Sequence, residues 1–205
     1  NINNYIHSFT KENFIDSIYP SMWHLEAPIG GLMNCALTIV NKAARELNIP
    51  VLQDGTGIDE AFGGYRNHQN IYLANLIKSK HPSAYTELEK YAQHWNIKKN
   101  EAHKIINEQL NKEVTAIDGT NPIYPGLLNS EILNLDTKSN TKQSLIECDV
   151  RSQLIDYITN RKIPRNMRMK DRISMAHGIE LRQPFLEHKL IELAMSLPVE
   201  YFFLN

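Results

Sequence analysis

The run Val51-Leu-Gln-Asp-Gly-Thr-Gly-Ile-Asp-Glu-Ala-Phe-Gly-Gly-Tyr65 constrains the fold more than any other part of the chain. Val51 and Leu52 are apolar and follow a turn signal at Asn48 and Pro50. The pattern predicts a buried strand over Pro50–Gln53. Gly55 and Gly57 come next, spaced so that the backbone can turn sharply and approach a ligand. Asp59 and Glu60 then fall where a helix begins. Acidic residues suit the first turn of a helix. Two carboxylates beside a glycine loop also suit a divalent metal that carries a nucleotide phosphate. Helix cap and metal ligand both fit this spacing, and Gly63-Gly64-Tyr65 reads equally well as a plain flexible break. Strand, glycine loop and acidic helix start together make the layout of a ligand site at the carboxyl edge of a parallel sheet.

A second segment, Arg168 to His188, is dense in charge yet interleaved with Met169, Ile173, Met175, Ile179, Leu181 and Phe185. A purely solvated face does not need so many apolar residues. A buried helix carries Lys170, Asp171, Arg172, Glu180 and Arg182 only if they pair with one another or with a ligand. Glu180 and Arg182 read as a buried ion pair that fixes the turn at Pro184, with Phe185-Leu186 plugging into a core. Arg172 reads either as a ligand contact or as a structural partner of Glu180 or Glu187. Lys170 is two residues from Arg172 on the helix and so points elsewhere. His177 reads as packing or bonding a loop, and His188 as a solvent-side residue.

With both segments in hand, the chain resembles the synthetase domain of glutamine-hydrolysing asparagine synthetases. The family pattern Ser-Gly-x-Gly-x-Asp-Glu-x-x-x-Gly-Tyr stands here as Asp54-Gly-Thr-Gly-Ile-Asp-Glu60 with Gly64-Tyr65. Its downstream pattern stands as Asp171-Arg172 and Ala176-His-Gly-Ile-Glu-Leu-Arg-Gln-Pro-Phe-Leu-Glu-His188. Leu25-Glu-Ala-Pro28 echoes a Glu-x-Pro that precedes the glycine loop, and the resemblance runs from about Ile15 to Pro198. It implies an α/β fold, mostly helical here. The chain would form part of an adenine-nucleotide α-hydrolase-like parallel sheet with helices, plus a helical C-terminal part. Residues 1–205 would then be a partial synthetase domain. The family's pyrophosphate loop, Ser-Gly-Gly-x-Asp-Ser, is expected upstream of Asn1, and the glutaminase domain in the same or a partner chain.

The chemistry implied by the resemblance is acyl activation: ATP adenylates a carboxylate, aspartate in the family, and ammonia derived from glutamine attacks the acyl-adenylate. Asp54, Gly55, Thr56 and Gly57 would approach the nucleotide, and Asp59 would hold magnesium. Arg172 and Thr56 would serve the reaction itself. Two positions depart from the pattern. Thr56 stands where asparagine-forming relatives place Glu, and Asp54 where they place Ser. A hydroxyl cannot supply a carboxylate's charge or basicity. The acceptor can therefore be another acid, with a weakened nucleotide- or partner-binding relative as the remaining reading.

Composition narrows the class. A hydrophobic fraction of 42% over 205 residues supports a sizeable core, and a net charge of −1 gives no general nucleic-acid surface. No apolar run approaches the roughly 20 residues of a membrane span, and a cytoplasmic location is expected. Cys35 and Cys148 form neither a zinc pattern nor a disulfide framework and read as buried thiols. Apolar periodicity predicts helices over Cys35–Leu47, Arg66–Ser79, Pro82–Trp95, Asn100–Glu113 and Gln143–Thr159, with a long loop over Thr115–Asn140.

Overall fold

The computed structural model describes residues 3–110 and 149–203. The expected loop at Thr115–Asn140, Cys148 and the first part of the Gln143–Thr159 helix lie outside these residues. The chain divides into two compact units, one of Asn1–Gly57 with Thr159–Ile191 and one of Ile58–Ile158 with Glu192–Asn205.

In the first unit, helix α1 (Lys11–Leu25) starts at a capping box: Asn13 N donates to Thr10 Oγ1 at 3.3 Å and Thr10 N to Asn13 Oδ1 at 2.8 Å. It ends at Glu26, whose φ of 51° is left-handed. Helix α2 (Leu32–Glu46) begins a turn earlier than its periodicity predicted. It stops at Asn48, left-handed at φ 57°, with Ile49 N bonded back to Ala44 O. The two helices pack through a buried Ser21–Thr38 hydroxyl pair at 2.7 Å, and Cys35 is fully buried.

Strand β1 (Val51–Gln53) follows and pairs in parallel with β2 (Glu180–Arg182), in the register Val51↔Glu180, Leu52↔Leu181 and Gln53↔Arg182. Glu180 N to Pro50 O and Asp54 N to Arg182 O extend the ladder at each end. A mostly helical α/β chain is what the sequence predicted. Strand β2 was not anticipated, because Leu181 is its single apolar residue and its ends are charged. The α-helix of Ile163–Ala176 feeds into β2, with Ile173, Ser174 and Ile179 buried and Gly178 at φ +65°.

Gly57 closes this unit's loop. Its φ is +102°, and a β-carbon on it would fall 2.3 Å from Leu186 Cδ2 and 3.3 Å from the Phe185 carbonyl oxygen. Leu186 lies in the 3₁₀ turn Pro184–Leu186, half-buried rather than fully plugged into a core. Gly57→Ala is expected to destabilise the chain by about 2–3 kcal/mol through left-handed strain and overpacking. A shift in the denaturant midpoint measures it, and a midpoint equal to the parent would remove the packing role.

The second unit is helical: α3 (Ile58–Phe62), α4 (Arg66–Lys78), α5 (Ala84–His94), α6 (Lys99–Leu110) and α7 (Val150–Asp156). A π turn over Tyr157–Arg161 continues α7 where unbroken α-helix was predicted. Numbering onward, α8 is Ile163–Ala176 and α9 is His188–Ser196. One core joins Leu73, Leu88, Tyr91, Ala102 and Ile106, with Ile105 and Leu110 packed against it, so the apolar stripe Ala102, Ile105, Ile106 and Leu110 of α6 faces inward. Another joins Ile71, Tyr72, Val150 and Leu154, flanked by Phe202 and Phe203. The Arg66 guanidinium lies 4.6 Å from the Trp95 ring centroid and donates to the Tyr91 hydroxyl at 2.9 Å, which ties α4 to α5. No helix among the described residues is long and apolar enough to cross a membrane.

Candidate functional site

The glycine loop leaves β1 at its carboxyl end, as the strand assignment required. Asp54 shapes it: one carboxylate oxygen accepts from Thr56 N at 2.8 Å, a local turn that asparagine and aspartate favour. The two glycines then serve different ends. Gly57 is buried against Leu186, whereas Gly55 is exposed and a β-carbon on it would meet nothing within 4 Å. Gly55 is therefore the position where backbone lies open to an incoming group.

Lys170 corrects the sequence reading. It does not point elsewhere: its ammonium donates to Asp54 Oδ2 at 2.8 Å and to Thr56 Oγ1. Residues i and i+2 lie far apart around a helix, so only one of Lys170 and Arg172 can face the loop. The buried residues of α8 decide which. Ser174 is 1% exposed and Ile173 equally buried, and Lys170 lies one turn before them on that face. The sequence alone did not single out that face, because Met169, Ile173 and Met175 spread the apolar residues of α8 around more than one side.

Arg172 goes to the end of α1. It bonds Glu26 Oε2 at 2.7 Å and the Leu25 carbonyl at 3.3 Å, not Glu180 or Glu187. The Leu25-Glu26 echo noted in the sequence thus has a local purpose: it supplies Arg172 with acceptors where α1 leaves carbonyls unpaired. Glu180 and Arg182 do pair, at 2.8 Å, but their side chains are 59% and 60% exposed. Residues i and i+2 of a strand share one face, here the outer one, while Leu181 takes the inner. His188 is exposed beside Glu187, as expected. His177 is half-buried; burial, with His24 and Lys42 nearby, holds its imidazole below the ordinary value.

The charge balance at the loop is specific. Burial pushes the Asp54 carboxyl up, but bonds from Lys170 and Thr56 outweigh it, and the group titrates below the ordinary aspartate value. A depressed folded-state value means stabilisation that is complete above the unfolded value, near 4, and that fades as acid carries the pH down through the folded one. Below about pH 4 the parent is therefore expected to lose stability that Asp54→Asn lacks at every pH. Paired denaturant melts from pH 6 to pH 3 check this; parallel curves for parent and variant would deny the Asp54 contribution.

Asp59 lies in the second unit, in the first turn of α3. The adjacent carboxylates do not act alike. Glu60 is 3% exposed and accepts from the Tyr65 hydroxyl at 2.8 Å, while Asp59 is half-buried. No group of three or more His, Cys, Asp or Glu side chains among the described residues could hold a metal. A hard oxygen donor such as Asp59 still fits magnesium, which characteristically takes one or two carboxylates and completes its shell with phosphate oxygens and water.

A parallel strand pair with a glycine loop at the carboxyl end of β1, met by a lysine from the helix that precedes β2, defines an α/β protein. The chain belongs to the asparagine synthase family: the family model described as asparagine synthase matches residues 1–205. It is 24% identical over 204 residues to a glutamine-hydrolyzing asparagine synthetase of Bacillus subtilis, a match covering 93% of this chain and 31% of that protein. It is 47% identical over 36 residues to a putative glutamine-hydrolyzing asparagine synthetase of Methanocaldococcus jannaschii, covering 18% of this chain and 7% of that one. The chain thus spans about a third of the Bacillus relative's length. No solved structure matches it.

Proposed function

We propose that this chain is part of the synthetase domain of an ATP-dependent amidotransferase, with asparagine formation as its reaction. One observation carries the reading. Lys170 reaches Asp54 and Thr56 across 116 and 114 residues of sequence, placing a cation on the open glycine loop at the end of a parallel strand. The family match and the resemblance of both motifs to asparagine synthetases support it. The full nucleotide-binding sheet would be of the adenine-nucleotide α-hydrolase type, with β1 and β2 as two of its strands.

In this reaction a carboxylate oxygen attacks the α-phosphorus of ATP, the bond to the bridging oxygen breaks, and pyrophosphate leaves. Ammonia released from glutamine by a glutaminase domain then attacks the acyl carbon, AMP departs, and a proton is lost from nitrogen. The open backbone at Gly55 admits the α-phosphate, and Asp54 and Gly57 hold the loop that presents it. The Lys170 ammonium neutralises charge that grows on the phosphoryl oxygens. It thus takes the role that the resemblance assigned to Arg172, and Arg172 secures the end of α1 behind it. Thr56 offers a hydroxyl held by Lys170. Magnesium, when bound, would offset the triphosphate charge, and Asp59 would hold it.

Thr56 in place of the family Glu keeps a second acceptor in view: an amide-forming relative that activates a different acid. Pyrophosphate–ATP exchange by the full-length protein separates these. Exchange dependent on aspartate is expected. Exchange driven by another carboxylate but not by aspartate identifies the second acceptor, and no exchange with any carboxylate would overturn the adenylation reading.

A further inference from the structure

We infer that Gly64 and Tyr65 are positioning residues that hold Asp59 and Glu60 in separate roles, Asp59 half-buried as a ligand and Glu60 anchored in the core. The inference rests on the proposed reading of Asp59 as a metal ligand. Helix α3 spans Ile58–Phe62 only, too short to fix its first-turn side chains by its own hydrogen bonds. The chain turns back at once instead. Gly63, at φ +79°, and Gly64 both donate their amides to the Asp59 carbonyl, at 2.9 and 3.2 Å.

This pair of hydrogen bonds to one carbonyl lays the Gly64 α-carbon directly against the Asp59 side chain. A β-carbon at Gly64 would fall 1.9 Å from Asp59 Oδ1, 2.9 Å from its Cγ and 3.3 Å from its Cα. The carboxylate keeps its present rotamer only because residue 64 has no side chain. Any other residue there must swing Asp59 aside.

Tyr65 completes the arrangement. Its hydroxyl donates to Glu60 Oε1 at 2.8 Å, and its ring meets His68 edge-on at 5.1 Å between centroids. Glu60 is therefore committed inward, and the same hydroxyl also lies within hydrogen-bond reach of the Asp59 carboxylate, so the phenol touches both side chains it positions. The Gly-Tyr pair is not a flexible break but the support of the carboxylate five residues earlier. Outer-shell groups of this kind typically change metal affinity by about 10- to 100-fold when removed.

Mn²⁺ binding to the full-length protein with α,β-methylene-ATP, read from the free-ion EPR signal, tests this. Asp59→Asn, Gly64→Ala and Tyr65→Phe are each expected to weaken Mn²⁺ by about tenfold or more. Each double variant with Asp59→Asn should bind no worse than Asp59→Asn alone, because the support acts through that carboxylate. If Asp59→Asn loses affinity while Gly64→Ala and Tyr65→Phe bind as the parent does, the support is refuted and the ligand reading stands. Additive losses in the doubles refute it too. Parent-like binding by Asp59→Asn refutes both. Should Gly64→Ala fail to fold, Tyr65→Phe and its double variant carry the same test, since phenylalanine keeps the ring packing on His68.

Discussion

Lys170→Met is expected to lower pyrophosphate–ATP exchange by the full-length protein about 10²- to 10³-fold, roughly 3–4 kcal/mol of transition-state stabilisation. Methionine retains most of the aliphatic stem, so packing along α8 changes little. The ammonium is lost, and with it the donor that meets both Asp54 and Thr56. Lys170 and Asp54 are only 20% and 23% exposed, so the pair is weakly screened, and removing one partner leaves the other charge uncompensated. Burial then acts on Asp54 with less opposition, and its carboxyl titrates higher than in the parent. Two measurements therefore move together: exchange falls, and the loss of stability that Asp54 contributes below about pH 4 shrinks. Lys170→Arg restores the charge but not its shape, because a planar fork cannot replace a compact ammonium between two oxygens. Arg172→Met is the control. Its partner Glu26 is an exposed side chain, so an effect of about threefold or less is expected. A Lys170→Met protein that exchanges at the parental rate would remove the cation from the proposed site.

Asp59→Asn should cost about 10²-fold in exchange at low magnesium, roughly 3 kcal/mol, with partial recovery as magnesium is raised. The change is nearly isosteric, so it leaves the turn at Gly63-Gly64 intact while removing the ligand's charge. Thr56→Ala removes one hydroxyl and is expected to cost about 1 kcal/mol. The ratio of the two effects is the informative quantity. If Asp59→Asn matches the parent at every magnesium concentration, the residue is a helix cap. If Thr56→Glu raises asparagine formation, the departure from the family pattern at that position is what redirects the acceptor.

Local signals carried much of the fold. The αL stop at Asn48, the turn at Gly57 and the inward stripe of α6 all follow from short-range chemistry that one sequence displays. Strand β2 did not show itself, because its pairing comes from β1 far away in the chain and its own residues alternate charge and leucine. The candidate site divides along the same line. The glycine loop could be named from spacing, whereas the magnesium role of Asp59 entered only with the resemblance. The partner of the loop could not be named, since choosing between Lys170 and Arg172 needs the direction in which α8 turns its buried face. The resemblance assigned magnesium to Asp59 and left Glu60 without a role; the bond from the Tyr65 hydroxyl to a buried Glu60 supplies one. Whether Glu180 and Arg182 pair inside or outside depended on strand geometry that their charges could not reveal.

The parallel pairing of β1 with β2 has a consequence for how the chain reaches its folded state. Asp54 and Lys170 are 116 residues apart, and closing a loop of that length carries an entropy penalty of about 4 kcal/mol before any contact rewards it. During synthesis, α1, α2 and β1 leave the ribosome long before the segment that completes them. The helices of residues 58–110 have local contacts and can condense first. Until residue 182 emerges, β1 lacks its β2 partner and α1 and α2 lack the helix that packs on them. Premature termination in the α8 region would leave β1 without that partner, with the hydrogen-bonding groups that β2 satisfies open to other chains.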